Sequence, residues 1–251
     1  MKVSFITNQF QMRGMLLMLF AVVLLNGCKV AHMALPQDLK SASSELAVEG
    51  LRGKIFVKSF NFGRYDVVDI QKGWTKGEGF SIFGFGSSKA KQRYEFKVNE
   101  SGETKWKVRC SAKADWNELD LDRFTGGGIS VEFSYDRQMI CTMRQVGSEK
   151  ILKLVMAQTF KELMPKGVMI DGDTRVDISV SHKVDTSPLR LGDPTGYVFH
   201  INNRPVGAVE IINKGTVWLN NSLKPETRSA LAATSAALLL HQDIKKLLQR
   251  N

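Results

Sequence analysis

From Ser229 to Leu240 the chain reads SALAATSAALLL, about 12 residues with no charge on any side. The longer run ETRSALAATSAALLLHQDIKKLLQ holds neither glycine nor proline, and Pro225 precedes it where a first helical turn accepts proline. A helix on a protein surface carries an apolar stripe and a polar back. This one has no polar back. Its alanines let other backbone come close, and its serine and threonine hydroxyls can return to carbonyls of the preceding turn. The pattern predicts a helix over 225–249 wrapped by other structure on nearly all sides. Its uncharged part is too short to span a bilayer, which takes about 20 residues.

The rest of the body supplies material for the wrapping. Tyr94, Phe96 and Val98 alternate with Glu95 and Lys97, a turn follows over Asn99–Glu103, and Trp106, Val108 and Cys110 alternate with Lys107 and Arg109. Such alternation puts one side of each strand in a core and reads as a half-buried hairpin. The same pattern recurs at Ile129–Tyr135, at Met139–Met143 after a turn near Asp136-Arg137, at Val176–Val180 and at Tyr197–Ile201. Turns are expected at Asn202-Asn203 and Asn213-Lys214-Gly215. Glu149–Pro165 fits either a strand or a helix ending before the proline. The class is therefore mainly β (α+β), an antiparallel β-barrel or sandwich of hairpins with a buried apolar C-terminal helix, forming a single domain over 51–251.

The N-terminus is of another kind. A polar opening with Lys2 and Arg13 leads to the apolar core MLLMLFAVVLL, Met15–Leu25, and then to Asn26-Gly27-Cys28. That is the three-part layout of a secretory signal over 1–27, with a core too short for a membrane span. Met12 would give a more compact start than Met1. Leu25-Asn26-Gly27-Cys28 resembles the lipobox of bacterial lipoproteins, with Asn26 less usual than Ala or Ser. The resemblance implies a diacylglycerol on the Cys28 thiol, cleavage before Cys28, and an N-acyl chain such as palmitate on the new amine. Each buried acyl methylene contributes about 0.8 kcal/mol, and two or more chains anchor stably. In that family Asp after the cysteine favours inner-membrane retention. Lys29 therefore points to the outer membrane, with the domain periplasmic or surface-facing. Residues 28–50 suit an acylated cysteine and a flexible tether, with a short helix open around Ser43–Val48.

The formal charge of +10 loses Lys2 and Arg13 with the signal and falls to about +8. Lys and Arg are dispersed from Lys40 to Arg250, the pattern of a solvated surface, although an acidic envelope ligand or an envelope protein suits it as a partner. Export argues against nucleic acid. It also delivers Cys110 and Cys141, each in a strand-like pattern, to an oxidising compartment, where two thiols in one domain are expected to pair; two buried free thiols are the alternative.

A run of hairpins closed by an apolar helix resembles the tubby C-terminal domain and its scramblase-like relatives. The residues that carry this are RYEFKVNESGETKWKVRC, and RPVGAVEIINKGTVWL leading into SALAATSAALLL. The resemblance implies a barrel of roughly twelve strands threaded by the helix. It brings no ligand residues with it, because no basic pocket motif is matched. An unrelated β-sandwich or α+β domain is the alternative.

Motifs of chemistry are sparse. His200 lies on the strand face opposite Tyr197, Phe199 and Ile201, and His182 has Asp185 nearby without a triad. There is no G-x-S-x-G and no His-x-x-x-His. Asp171, Asp173 and Asp177 lack the glycine and closing glutamate of an EF-hand and read as a turn entering a strand. No catalytic residue, metal ligand or non-covalent cofactor is assigned. GEGFSIFGFGSSK, Gly77–Lys89, reads as a flexible hairpin or loop bearing Phe80, Phe83 and Phe85, aromatics that would make a binding or membrane-touching tip if exposed. The expected function is binding or scaffolding in the envelope; a hydrolase or an envelope or secretion subunit are the rivals.

Overall fold

The computed structural model describes residues 30–51, 57–73, 80–82, 85–87, 92–116, 135–159, 166–172 and 174–241. Residues His32–Asn251 form one compact unit, and Met1–Ala31 another of which only Val30 and Ala31 are described. In chain order the elements are α1 Gln37–Ala42, β1 Ser43–Glu49, β2 Phe60–Phe62, β3 Tyr65–Gly73, β4 Phe80–Ile82, β5 Phe85–Ser87, β6 Gln92–Glu100, β7 Glu103–Trp116, β8 Tyr135–Gln145 and β9 Ile151–Thr159. They continue with β10 Lys166–Asp171, β11 Thr174–Ser181, β12 Lys183–Val184, β13 Ser187–Arg190, β14 Gly196–Ile201, β15 Arg204–Glu210, β16 Thr216–Asn220 and α2 Pro225–Leu240. Twelve strands close a barrel in the order β1-β16-β15-β14-β11-β10-β9-β8-β7-β6-β3-β2, while β4-β5 and β12-β13 are separate two-stranded hairpins. The fold class expected from the sequence is the one found, in its barrel form.

Alternation explains the wall. Tyr94, Phe96 and Val98 are buried inward, while Glu95 and Lys97 face out and pair with Arg109 and Asp69. Closing the sheet leaves a hollow, and α2 fills it. Ser229–Leu238 and Leu240 are all buried, and α2 shares one core cluster with residues from each of the twelve barrel strands. The helix has no polar back because it has no solvent side. Its polar atoms are met locally: Thr234 and Ser235 donate to the carbonyls of Ala230 and Leu231 at 3.0 and 2.8 Å. The wall supplies further bonds, among them Trp106 Nε1 to Ser229 Oγ at 2.9 Å and the Tyr94 hydroxyl to the Ala237 carbonyl at 2.9 Å. Burial, and secondarily the neighbouring Tyr197, push the Tyr94 phenol well above its ordinary pKa, so it stays a donor.

One arc is covered on its outer side too. Val198, Ala208 and Trp218 point outward from β14, β15 and β16 yet are buried, beneath Met33, Leu35 and Leu39. This is why β14–β16 read as nearly continuous apolar runs where the other strands alternate.

The structure corrects several expectations. Residues 32–50 are not a free tether: from His32 the chain belongs to the folded unit, with Leu39 fully buried in α1 and β1 paired to β16 and β2, while Cys28 and Lys29 lie outside the described residues. Ser43–Val48 is strand, because it supplies the edge that closes the barrel. Ile151–Thr159 is strand as well, which resolves the ambiguity at Glu149–Pro165 for the described part. Asp136-Arg137 lies within β8 rather than in a turn. The helix ends at Leu240, with His241 extended; 242–249 lie outside the described residues. Ile129–Ser134 also lie outside them.

Cys110 and Cys141 sit directly opposite each other on β7 and β8, with Cα atoms 4.1 Å apart and sulfurs at disulfide distance, 2.05 Å. A bridge across a separation of 31 residues contributes roughly 3–4 kcal/mol by chain entropy. Reductant should lower the denaturant midpoint accordingly, and an unchanged midpoint would show the thiols unpaired. Leu238→Asp places a lone carboxylate against 1 % exposure, a cost of several kcal/mol against a total stability of about 5–15 kcal/mol. The cooperative melt followed by circular dichroism should disappear.

Candidate functional site

The two ends of the barrel differ. At one end the connections are tight: Gly63-Arg64, Ser101-Gly102 and Asn202-Asn203 each join two strands. Ser101, Asn202 and Asn203 take positive φ of 52°, 50° and 61°, as right-twisted hairpins require. Charges there are matched locally, Arg64 with Glu100, Lys105 with Glu103 and Arg175 with Asp177. The opposite end holds the long connections, β1–β2, β3–β6, β7–β8, β9–β10 and β11–β14. It also receives the N-terminal segment.

What holds that segment is Glu210, the last residue of β15. Its side chain is 1 % exposed, and a carboxylate buried without donors costs several kcal/mol. The donors come from the incoming chain. The Met33 amide donates to Oε2 at 2.7 Å, His32 Nδ1 lies 3.3 Å from both oxygens, and Asn213 Nδ2 donates to Oε1 at 3.4 Å. Asp185 accepts from the His32 amide at 3.0 Å and donates its own amide to the His32 carbonyl at 2.9 Å. Met33 then bridges to Val184, and the Ala34 amide donates to the Lys183 carbonyl at 3.0 Å. Residues 32–34 therefore form a third strand beside the β12–β13 hairpin.

Two residues make room for this arrangement. Thr195 is fully buried, and its hydroxyl lies 3.0 Å from the carbonyls of both Ser181 and Lys183, fixing where β12 leaves the barrel. Gly196 is a packing requirement, since a Cβ there would overlap the Val209 carbonyl and the Met33 sulfur.

Two leucines at the hairpin are exposed. Leu189 is 72 % exposed and Leu191 45 %. A period of two sets them on one face, and the exposed cation Arg190, with its paired partner Lys183, on the other. Among the described residues of the folded unit, Val146 is the remaining large exposed apolar side chain.

The residues singled out from the sequence are scattered. Cys28 and Phe83 lie outside the described residues. Phe80 and Phe85 belong to the β4–β5 hairpin, whose connection leaves β3 and rejoins β6 at the long-connection end. Among the described residues neither His182 nor His200 meets a carboxylate and a hydroxyl together. The His182 Nδ1 lies 3.0 Å from the Leu191 carbonyl, and Asp177, the cross-strand neighbour of His200, is bonded by Arg175. No group of three or more His, Cys, Asp or Glu among the described residues could hold a metal. The sequence reading missed Glu210 and placed His32 in the tether. A glutamate between apolar neighbours, in VGAVEII, was the available signal.

Comparison with known proteins finds no family model that matches, and no significant match among curated proteins or solved structures.

Glu210→Ala leaves the Met33 amide without its acceptor, at about 1–3 kcal/mol. Hydrogen exchange should accelerate at residues 33–42 while α2 stays protected. Equal acceleration in α2 would show that the segment and the barrel open together.

Proposed function

We propose that this chain is a bacterial lipoprotein, anchored through acyl chains on Cys28, whose barrel binds or scaffolds in the cell envelope. The observation that carries the reading is Leu25-Asn26-Gly27-Cys28 directly after an apolar core, set only a few residues before a folded unit that starts at His32. A signal cut before Cys28 would leave almost nothing between the lipid and the barrel. Lys29 favours the outer membrane.

The filled interior bears on the kind of activity. With α2 occupying the barrel, and its facing side chains Ala232, Ala233 and Ala236 fully buried, recognition falls to the ends and the outer wall. That suits a partner with an extended surface, such as an envelope protein or an acidic envelope polymer. A barrel of twelve strands around a helix is also the layout that the tubby resemblance implies. Among the described residues, no helix is long and apolar enough to cross a membrane, and the acyl chains would serve as the anchor.

Cys28→Ser removes the thiol that would take the diacylglycerol. The variant should retain its leader and lose lipid labelling, both readable in the intact mass; wild-type processing would eliminate the lipoprotein reading.

A further inference from the structure

We infer that the β12–β13 hairpin is a second membrane contact, which lays Leu189 and Leu191 into the interface of the leaflet that holds Cys28, with Lys183 and Arg190 at the lipid phosphates. The inference rests on the lipoprotein reading and adds to it an orientation of the barrel.

Chain length carries the argument. Four residue steps separate Cys28 from His32, and an extended chain covers at most about 3.3–3.6 Å per residue, or roughly 14 Å. The acylated sulfur sits at the boundary of the hydrocarbon, below a headgroup layer of about 5–8 Å on each side of the bilayer. His32 is therefore held within roughly 10 Å of the membrane surface. It cannot swing free of the barrel, because Glu210 and Asp185 bind it and Met33 packs over Gly196. The end of the barrel that carries His32 is then the end facing the lipid.

The hairpin lies beside that point. β12 neighbours residues 32–34 through the Met33–Val184 bridge, and β13 is one strand further. Strands lie about 4.8 Å apart, so Ser187–Arg190 runs roughly 10 Å from the anchoring segment. Leu189 and Leu191 are two of only four large apolar side chains exposed among the described residues, and no contact in the fold accounts for them. Amphipathic elements of this kind bury their apolar side at the boundary of headgroup and acyl chain, and their cations add attraction to anionic lipid. Lys214, exposed in the turn between β15 and β16, lies at the same end and adds to the positive side. Asp185 is engaged by the His32 amide.

The test uses the acylated protein reconstituted in vesicles of phosphatidylethanolamine and phosphatidylglycerol, with a nitroxide on Leu189→Cys. Glu149→Cys, in the β8–β9 turn at the opposite end, serves as the comparison. Collision with oxygen reports lipid and collision with a nickel chelate reports water. The oxygen-to-nickel ratio at 189 should exceed that at 149 several-fold and fall when anionic lipid is replaced by phosphatidylcholine. An acylated, vesicle-bound protein with equal ratios at both sites would overturn the hairpin contact and leave the anchor standing. A label shielded from both reagents only after envelope proteins are added would assign the leucines to a protein partner, and would likewise overturn it. A mass without acyl chains would remove the anchor and the inference together.

Discussion

The fold is organised around a helix that water would not tolerate on any side. α2 presents a surface of alanine, leucine and self-satisfied hydroxyls, and the twelve strands exist in the arrangement that encloses it. Small side chains set the distance at which the wall can stand, and the aromatic residues of the wall then reach inward. Trp106 and Tyr94 each contribute a large apolar surface and end in one polar atom, which finds the helix at Ser229 and at Ala237. These two bonds fix the helix along the barrel axis, since a slide in either direction would strand a buried donor. Helix and wall are each incomplete without the other.

A smaller dependency of the same form governs the N-terminal segment. The buried carboxylate of Glu210 is stable because residues 32 and 33 bring donors to it, and those residues are ordered because the carboxylate is there to accept. Around this ionic point the contacts are apolar: Met33 over Gly196, and Leu39 over Ala208 and Trp218. The segment thereby turns one arc of an otherwise one-sided sheet into a wall buried on both faces.

Much of this was legible in the residues. The period of two in β6, β7 and β11 and the uncharged stretch of α2 are local signals, and both appear where the patterns put them. What was not legible depends on contacts distant in sequence. Residues 28–50 are short of large apolar side chains and carry polar ones, so they read as a tether. The order of 32–50 comes from the burial of Leu39 in α1 and from the pairing of β1 with β16, a partner about 170 residues away in the chain. Glu210 was obscure for the opposite reason. An acid in a strand is normally outward and wet, and here it is outward and covered by a segment that sequence placed elsewhere. Ile151–Thr159 resisted assignment because a short apolar run suits either period, and the choice was made by its two neighbours, β8 and β10.

The order of the parts along the chain has its own consequence. The barrel closes by joining β1 to β16, almost the first strand to the last, and its filling arrives later still, with Pro225–Leu240. Until those residues are present, the inner faces of all the earlier strands have nothing to pack on, so folding waits for the entire polypeptide. A nonsense change after Asn220 would yield every strand and no interior, an empty shell lined with leucine, methionine and phenylalanine. Such a product is fit for proteolysis rather than partial service.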